Sequence, residues 1–550
     1  MKGNRAMKNN RGAMKTLLLY KSGRPGAGDY FARMMPVGLG WINATLRQAG
    51  FDSSLANLSS TEWSRTESLL RRERPDLVGI TLYTFNRHPG LRLARLAKKA
   101  NPDCTVIVGG PHATHTAASI LNHCPAVTAV AIGEGEMTML DVAKAVKSGR
   151  PLAGVPGLMV RDSARKPAAT LPRGTVADLD TLPFPAAWYA GHNLDVDAES
   201  SFIITSRGCP ARCTFCNTPD FWGTRMRFRS PEHMLDEIRY LRDRMGILYV
   251  SIRDDTFTVH KKRVIDFCRK LIDARLGVLW NCQSRVNAID EERLSWMRRA
   301  GCEHIQYGIE SGSERLLGLL AKDITIDQIR DAAAATRKVG LPLSIYLISG
   351  VPEETEADFE ATRALISEIR PHDGIVAPLA VFPGTRIHDD MVAAGRIDAN
   401  YWIHEKRHTL YMMEGAAGRR SFRRLANLCA RVGRKAAYTL EELESHKRMH
   451  RGAFAPLLAL GDARAAIADV GGALEEYEEI LRNDPANVWG LVRIGMLLYS
   501  SGDSKGARLY LKEAQRIVPK SRMVREALSA LRGQRIHPRP RIRPALTAAS

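Results

Sequence analysis

Short apolar runs alternate with amphipathic, helix-like stretches through the first 150 residues. Five runs have the length and composition of buried strands, and they cover residues 16–20, 53–55, 77–81, 105–108 and 129–132. Strands that alternate with helices in this way favour a parallel sheet covered by helices on both faces. We therefore predict a doubly wound, flavodoxin-like α/β domain over residues 14–150, behind a disordered start at residues 1–13.

The alternation resumes between residues 201 and 415. Six strand-like runs, at residues 202–206, 249–252, 278–282, 304–308, 343–348 and 374–378, are each paired with a helical stretch. Ser230 followed by Pro231 marks one helix start, because Ser caps helices and Pro suits the first helical position. Six strand–helix units predict a partial (β/α)6 barrel, with functional groups at the carboxyl ends of its strands. Residues 151–200, rich in Pro, Gly and Ala, are predicted to be a linker.

Helical patterns dominate from residue 416 onward, and a 34-residue period lies within them. Ala473 and Pro485 recur as Ala507 and Pro519. Small residues at this spacing let paired helices approach closely and resemble tetratricopeptide (TPR) repeats. We predict a helical connector over 416–451, TPR-like repeats over 452–532 that offer a surface for a protein partner, and a disordered basic tail over 533–550.

Composition and cysteine usage indicate a cytoplasmic protein. The chain is 45% hydrophobic and 25% charged, which is typical of a soluble globular protein. No apolar run approaches the length of a membrane span, and residues 1–5 are too polar to open a secretory signal. The nine cysteines are odd in number and six stand alone, which argues against a disulfide framework.

The formal net charge of +21 is concentrated in residues 419–435 and 532–543. A solvated basic surface is the interpretation that we favour. Peripheral contact with acidic membrane lipids, or with an acidic protein, is the alternative. Because much of the charge lies in these two stretches, we do not expect nucleic acid to be a partner.

Three cysteines, Cys209, Cys213 and Cys216, lie on the loop that leaves the first predicted strand of the central region. Three thiolates on one short loop can converge on one metal centre, and four-iron clusters are held by cysteine thiolates. Zinc is the alternative, but it normally takes a fourth protein ligand, and no further Cys or His follows within two turns of chain. The CxxxCxxC spacing, with Phe215 before the last cysteine, resembles the signature of the radical S-adenosylmethionine (SAM) superfamily.

Polar residues follow four other predicted strands of the central region, at 253–255, 283–285, 308–311 and 348–353. SAM presents an amino group, a carboxylate, ribose hydroxyls and adenine, so its site needs acceptors, a cationic donor and space lined by glycine. Residues 228–231, 255–258, 308–314 and 382–385 also resemble cobalamin-dependent radical SAM enzymes. The resemblance implies that Cys209, Cys213 and Cys216 hold a [4Fe-4S] cluster. It also implies SAM contacts from Phe215, Asp254, Asp255, Ser284, Arg285, Glu310 and Gly350.

Glycine pairs follow two strands of the first domain, where ligands of parallel sheets bind and where glycine permits close approach. Residues 36–40, 108–114 and 132–136 resemble the cobalamin-binding domain that precedes the catalytic domain in one class of radical SAM enzymes. The resemblance implies cobalamin contacts from Pro36, Gly38, Leu39, Thr81, Gly109, Gly110, Pro111, His112, Gly133, Glu134 and Gly135. The cobalt-ligating Asp-x-His-x-x-Gly motif is missing and His112 is a poor substitute. A doubly wound domain that has lost its ligand is the alternative.

The function implied by the resemblance is methylation of an unactivated carbon by way of a 5′-deoxyadenosyl radical and methylcobalamin. Cyclisation or oxidation with the same cofactors is one alternative, and a TPR scaffold with a decayed enzyme core is another. A tRNA methylthio-transferring enzyme would need three further cysteines in its first domain, where only Cys104 and Cys124 lie. The expected partners are a small-molecule, lipid or peptide substrate and an electron donor such as flavodoxin or ferredoxin. No catalytic residue beyond the cofactor ligands is assigned.

Overall fold

The computed structural model describes residues 14–22, 36–188, 201–398, 400–404, 410–411 and 416–533. The predicted disordered start, and the tail beyond residue 533, lie outside these residues. The described parts form two large, mainly parallel sheets and a C-terminal array of helices. Within those ranges, no helix is long and apolar enough to cross a membrane.

The first domain is a seven-stranded sheet with helices on both faces. Its strands are β1 (Lys15–Tyr20), β2 (Asp52–Asn57), β3 (Leu77–Thr81), β4 (Thr105–Gly109), β5 (Ala129–Ala131), β6 (Leu158–Arg161) and β7 (Pro167–Ala169). Its α-helices are α1 (Val37–Gln48), α2 (Trp63–Glu73), α3 (Arg87–Ala100), α4 (Pro111–His123) and α5 (Glu136–Ser148). The order β2-β1-β3-β4-β5, all parallel, is the predicted doubly wound arrangement.

Adjacent residues of β1 supply the two cores of this domain. Leu19 packs with α2, α3 and α4, whereas Leu18 packs with α1 and α5. This follows from the two-residue period of a strand, which sends successive side chains to opposite faces.

Strands β6 and β7 differ from the prediction of a linker that begins at residue 151. Strand β6 pairs with β5 and β7 pairs with β6, both in antiparallel fashion, with Val130 opposite Met159. Most of their side chains are only half-buried, so they lack the continuous apolar run by which a buried strand is recognised.

The central unit is a six-stranded parallel sheet with the order β15-β14-β13-β12-β11-β8. Its strands are β8 (Phe202–Ile203), β11 (Tyr249–Ile252), β12 (Leu279–Ser284), β13 (Cys302–Glu310), β14 (Leu343–Ser349) and β15 (Asp373–Pro378). Two further strand pairs are β9 (Ser206–Arg207) with β10 (Arg227–Phe228), and β16 (Ala380–Val381) with β17 (Leu410–Tyr411). The helices are α6 (Thr218–Trp222), α7 (Pro231–Tyr240), α8 (Lys261–Asp273), α9 (Glu291–Arg299), α10 (Glu314–Leu319), α11 (Ile326–Lys338), α12 (Glu356–Ile369), α13 (Arg386–Ala393) and α14 (Tyr401–His404).

The main helices of this unit pack on one face of the sheet. Ile252, Cys282 and Ile345 contribute to a single apolar core with α7, α8, α9, α11 and α12. We call the opposite side of the sheet, which carries Arg253 and Gln283, its inner face. Closure of this sheet into a (β/α)6 barrel stays a prediction. The predicted cap is present, because the hydroxyl of Ser230 accepts a hydrogen bond from the His233 amide.

Seven helices form the C-terminal region within the described residues. They are α15 (Ala416–Arg434), α16 (Leu440–Met449), α17 (Phe454–Ala466), α18 (Val470–Asn483), α19 (Val488–Ser500), α20 (Ser504–Ile517) and α21 (Arg522–Ala530). Leu279 of the central sheet shares an apolar core with Leu457 and Tyr477. Ala473 and Ala507 are fully buried, as close helix pairing requires. Assignment of these pairs to the TPR family stays a prediction.

Candidate active site

Four buried charged side chains join the first domain to the central unit. Glu134 and Glu136 follow β5, whereas Arg207 and Arg227 lie in β9 and β10. Arg207 Nη1 is 3.1 Å from Glu134 Oε2, and its Nη2 is 2.5 Å from Glu136 Oε1. Arg227 also pairs with Glu134. Burial alone would lower the pKa of Arg207. The neighbouring carboxylates of Glu136 and Glu134 outweigh this effect and raise the pKa.

The cysteine loop begins two residues after Arg207. Cys209 and Cys213 are buried, Cys216 is half-buried, and all three thiols are free of disulfide bonds. Main-chain hydrogen bonds hold the loop, from the Cys209 amide to Gly223 O at 3.3 Å and from the Thr214 amide to Leu320 O at 3.0 Å. In the part of the chain that the structure describes, no three His, Cys, Asp or Glu side chains are arranged to hold a single metal ion.

A guanidinium group lies beside this loop. Arg285 Nη1 is 3.8 Å from Cys213 Sγ, and Arg285 Nη2 donates to the carbonyl oxygens of Lys322 at 2.5 Å and Asp323 at 3.1 Å. The thiolate is the form of cysteine that ligates metal, and a guanidinium beside the loop offsets part of its negative charge. Three free thiols next to a buried guanidinium therefore fit a cluster bound through cysteine.

Asp254 and Asp255 are neighbours in sequence with different surroundings. Asp254 is 1% exposed and accepts hydrogen bonds from the Thr205 amide and hydroxyl, both at 2.5 Å, and from the Ser206 hydroxyl at 2.6 Å. These bonds replace sheet pairing at Thr205, which explains why β8 ends earlier than the predicted strand 202–206. Asp254 thus holds the chain that leads into the cysteine loop.

Asp255 is solvent-accessible, although protein atoms crowd around its carboxyl group. The resulting desolvation raises the pKa of Asp255 to about 6. The hydrogen bond of 3.1 Å that Thr218 Oγ1 donates to Asp255 Oδ1 acts in the opposite direction and lowers the pKa. Of the two aspartates, Asp255 is the one whose carboxylate is open to a ligand.

Glu310 adopts a backbone conformation that is rare for a residue with a side chain. Its φ is 62°, and the pairing of β13 with β14 is irregular between Gly308 and Glu310. The buried carboxylate accepts a hydrogen bond of 2.7 Å from Lys322 Nζ. Strained residues of this kind cluster at functional sites. Lys322 was missed by the sequence analysis, because it lies between two helices and not after a strand.

The remaining predicted SAM residues are mostly engaged within the protein. The Ser284 hydroxyl is buried, bonds to Thr258 Oγ1 and donates to Arg285 O at 3.0 Å. The amide of Gly350 donates to Glu354 Oε2 at 2.8 Å. Phe215, which belongs to the cysteine loop, packs beside Leu316, Leu320 and Val351.

The loop after β4 requires glycine at one position. Gly110 has a φ of 92°, and a Cβ there would lie 2.5 Å from Thr81 Oγ1 and 3.1 Å from Leu82 O. The backbone of this loop therefore runs directly against the end of β3. This brings the predicted cobalamin residues Thr81, Gly109, Gly110 and Pro111 together at one edge of the sheet.

His112 is enclosed where the first domain meets α14. It is 2% exposed, its Nδ1 is 3.1 Å from Thr84 Oγ1, and its ring stands edge-on to Trp402. Burial, with Arg87 next in importance, lowers its pKa well below the usual value. His112 is thus a packed, neutral side chain, and its contact with cobalamin stays a prediction.

The other predicted cobalamin residues divide into open and filled positions. A Cβ on Gly38 or Gly133 would meet no atom within 4 Å, so both positions border open space. Pro36 and Leu39 are buried at the start of α1. Glu134 belongs to the ion network, and the side chain of Ile42 lies against Gly135.

Comparisons with known proteins agree with this arrangement. Residues 203–366 match the Radical SAM superfamily and residues 24–143 match the B12 binding domain. A protein of Pyrococcus horikoshii described as an uncharacterized methyltransferase is 31% identical over 374 residues, which is 67% of this chain and 80% of the relative. The anaerobic magnesium-protoporphyrin IX monomethyl ester cyclase of Rubrivivax gelatinosus is 28% identical, over 65% of this chain and 66% of the relative.

A solved structure shares the fold. The radical S-adenosylmethionine methyltransferase of Kitasatospora setae, with cobalamin and a [4Fe-4S] cluster bound, has a TM-score of 0.59 and 19% identity, over 69% of this chain and 75% of that one. The family matches confirm the predicted cofactors, which are SAM with a [4Fe-4S] cluster for the central unit and cobalamin for the first domain.

Proposed function

This chain belongs to the radical SAM superfamily and carries a B12-binding domain, and we propose that it transfers a methyl group to a carbon atom of its substrate. The observation that carries the proposal is the ion network of Glu134, Glu136, Arg207 and Arg227. It ties the loop after β5, where cobalamin contacts are predicted, to the segment that leads into Cys209. Two cofactor sites held together in this way can act on one substrate carbon.

When bound, the cluster supplies the electron that cleaves SAM to methionine and a 5′-deoxyadenosyl radical, and cobalamin carries a methyl group from a second SAM. We assign cluster ligation to the three loop cysteines, with Arg285 offsetting their negative charge. The electron comes from a protein reductant of the flavodoxin or ferredoxin type.

The geometry supports different roles for the predicted SAM residues. Asp255 offers an open carboxylate for the amino group or the ribose, and Glu310 with Lys322 places a charged pair beside the same edge of the sheet. Asp254 and Ser284 are assigned to positioning, because their side chains are buried and already bonded. We keep Phe215 and Gly350 as parts of the walls of the site.

Methyl transfer is supported by the relative from Pyrococcus horikoshii, which is described as a methyltransferase. A second candidate function, ring closure with the same cofactors, is favoured by the 28% identity to the anaerobic cyclase. The two functions differ in the fate of the SAM methyl group. Only methyl transfer places it in the product.

The test is an anaerobic reaction of the reconstituted protein with an extract of cells that lack the protein, as the source of substrate, and with SAM that carries an isotopic label in its methyl group. We expect 5′-deoxyadenosine, S-adenosylhomocysteine and a labelled product from the intact protein. Cys216→Ala is expected to lose bound iron and 5′-deoxyadenosine formation, and Cys268→Ala, at a buried cysteine away from the loop, is the matched control. An unlabelled product would favour ring closure, and retained SAM cleavage by Cys216→Ala would refute the cluster assignment. Absence of 5′-deoxyadenosine from the intact protein would favour a scaffold with a decayed core.

A further inference from the structure

The inner face of the central sheet carries a row of polar side chains. Strand register places residue 252 opposite residue 282, and therefore Arg253 level with Gln283. The register then pairs Gln283 with Gln306, and Gln306 with Ser344. We call Arg253, Gln283, Gln306 and Ser344 the polar row. Alternate residues of the same strands pack under the helices, so the row points the other way.

This polarity differs from that of a closed eight-stranded barrel. Barrel interiors are normally filled by bulky branched apolar side chains, which pack against one another. Buried polar groups without partners cost free energy, so such a row persists where a ligand or water completes its hydrogen bonds.

Arg253 is the charged member of the row. Its side chain is half-buried, and its guanidinium stacks 4.9 Å from the centre of the Phe202 ring. Among the described residues, no carboxylate forms an ion pair with it. An arginine fork that is stacked on an aromatic ring is preorganised to bind a carboxylate or phosphate through two hydrogen bonds.

The amide side chains of the row are held in orientation by a tyrosine. Gln283 Nε2 donates to the Tyr346 hydroxyl at 3.1 Å, and this hydroxyl donates to Gln306 Oε1 at 3.1 Å. Ser344 is 1% exposed, and its hydroxyl has no hydrogen-bond partner among the described residues. The row thus presents two oriented amides, with the Arg253 cation at one end and the unsatisfied Ser344 hydroxyl three strands away at the other.

Building on the proposed function, we propose that the polar row recognises the substrate, and that the substrate is a polar molecule with a carboxylate or phosphate that Arg253 binds. Arg253 directly precedes Asp254 and Asp255, so the bound anion lies at the strand end where SAM is expected. A neutral polyprenoid would leave Arg253 and Ser344 without partners. A site built for hydrogen bonding binds such a ligand much more weakly than a ligand that satisfies its polar groups.

The test uses the reconstituted holoenzyme with methyl-labelled SAM and an extract of cells that lack the protein. The extract is divided into a neutral chloroform-soluble fraction and a fraction retained by an anion exchanger at neutral pH. We expect the retained fraction alone to stimulate 5′-deoxyadenosine formation. Arg253→Gln should lose this stimulation by roughly tenfold or more and keep SAM cleavage without substrate. Arg253→Lys should retain part of it, and Arg244→Gln, at an exposed arginine, should behave like the wild type.

Stimulation by the neutral fraction would overturn the proposal, as would an unchanged response in Arg253→Gln. Loss of substrate-free SAM cleavage in Arg253→Gln would overturn it too, because Arg253 would then bind SAM. Stimulation by the anionic fraction without transfer of label would contradict methyl transfer and support the assigned substrate class.

Discussion

The ammonium group of Lys322 lies 2.7 Å from the carboxylate of Glu310, and both side chains are buried. The main-chain carbonyl of Lys322 accepts a hydrogen bond from Arg285, whose guanidinium is 3.8 Å from Cys213 Sγ. One residue of the segment between α10 and α11 thereby links the strained end of β13 to the cysteine loop.

We predict that Lys322→Met destabilises the central unit by about 3 kcal/mol, because it leaves the carboxylate of Glu310 buried without its cation. Denaturant unfolding of the cofactor-free protein measures this loss. Adding Glu310→Gln to the Lys322→Met variant removes the unpaired buried charge and should recover part of the lost stability. Arg330→Gln, at an exposed ion pair, should cost less than about 1 kcal/mol. Equal losses in the exposed and buried variants would contradict the role of the buried pair.

The contact between the two sheets is expected to depend on Glu134. Glu134→Gln leaves Arg207 and Arg227 short of negative charge in a buried position, where breaking an ion pair costs about 3 kcal/mol or more. Calorimetry should then show the first domain and the central unit unfolding at separate temperatures. Arg71→Gln removes an exposed pair in the first domain and should leave the transition unchanged. A single unshifted transition in Glu134→Gln would refute this coupling.

A substitution at Gly38 is expected to lower cobalamin affinity without lowering folding stability. The Cβ of an alanine in place of Gly38 would meet no atom within 4 Å, and the position lies inside a helix. The free energy of unfolding of the cofactor-free protein should therefore stay equal or rise by up to about 1 kcal/mol. If cobalamin occupies the space beside α1, its affinity should fall, as measured by equilibrium dialysis. Gly471→Ala, in an equally open helical position of α18, is the control for stability. Undiminished cobalamin affinity in Gly38→Ala would remove this residue from the predicted contacts.

The attachment of α16 to the central unit is expected to weaken in acid. His446 and His450 donate from Nε2 to the carbonyl oxygens of Arg337 and Val339, and each Nδ1 is buried without a partner among the described residues. Desolvation, with Arg298 nearby, lowers the pKa of each ring to about 4.

A lowered folded-state pKa means that the unfolded chain takes up these protons first. Stability is therefore complete above the unfolded value of about 6.5 and is lost as the pH falls toward 4, by on the order of 1 kcal/mol per pH unit for each ring. Denaturation followed at several pH values measures the slope. His450→Gln should flatten it, and His123→Gln, at an exposed ring, should not. An identical slope in both variants would assign the acid sensitivity to other groups.

Local signals allowed much of the fold to be predicted. The strand over 249–252 has the predicted bounds, and Ser230 caps its helix through a hydrogen bond to a residue three positions away. The three cysteines are likewise recognised from spacing alone. Each of these features depends on residues that are close in the chain, so a single sequence reveals it.

Other features depend on residues that are distant in the chain. Arg207 and Glu136 are 71 residues apart, and Asp254 lies 49 residues after the Thr205 amide that it accepts from. No spacing pattern connects such residues. The family resemblance implied contacts of Asp254 with SAM and of Glu134 with cobalamin, and only the structure shows that both side chains also form internal bonds. Strands β6 and β7 were missed because most of their side chains are only half-buried, so neither carries a continuous apolar run.

The sequence by itself determined the order of units along the chain and the chemistry of the cysteine loop, because apolar periodicity and ligand spacing are local properties. Tertiary structure decided which polar side chains remain open to a ligand. Asp254 and Asp255 are adjacent, yet the carboxylate of Asp254 is fully engaged by Thr205 and Ser206, whereas the side chain of Asp255 is solvent-accessible. Their difference arises from packing between strands, and packing is set by the whole fold and not by neighbours in the chain.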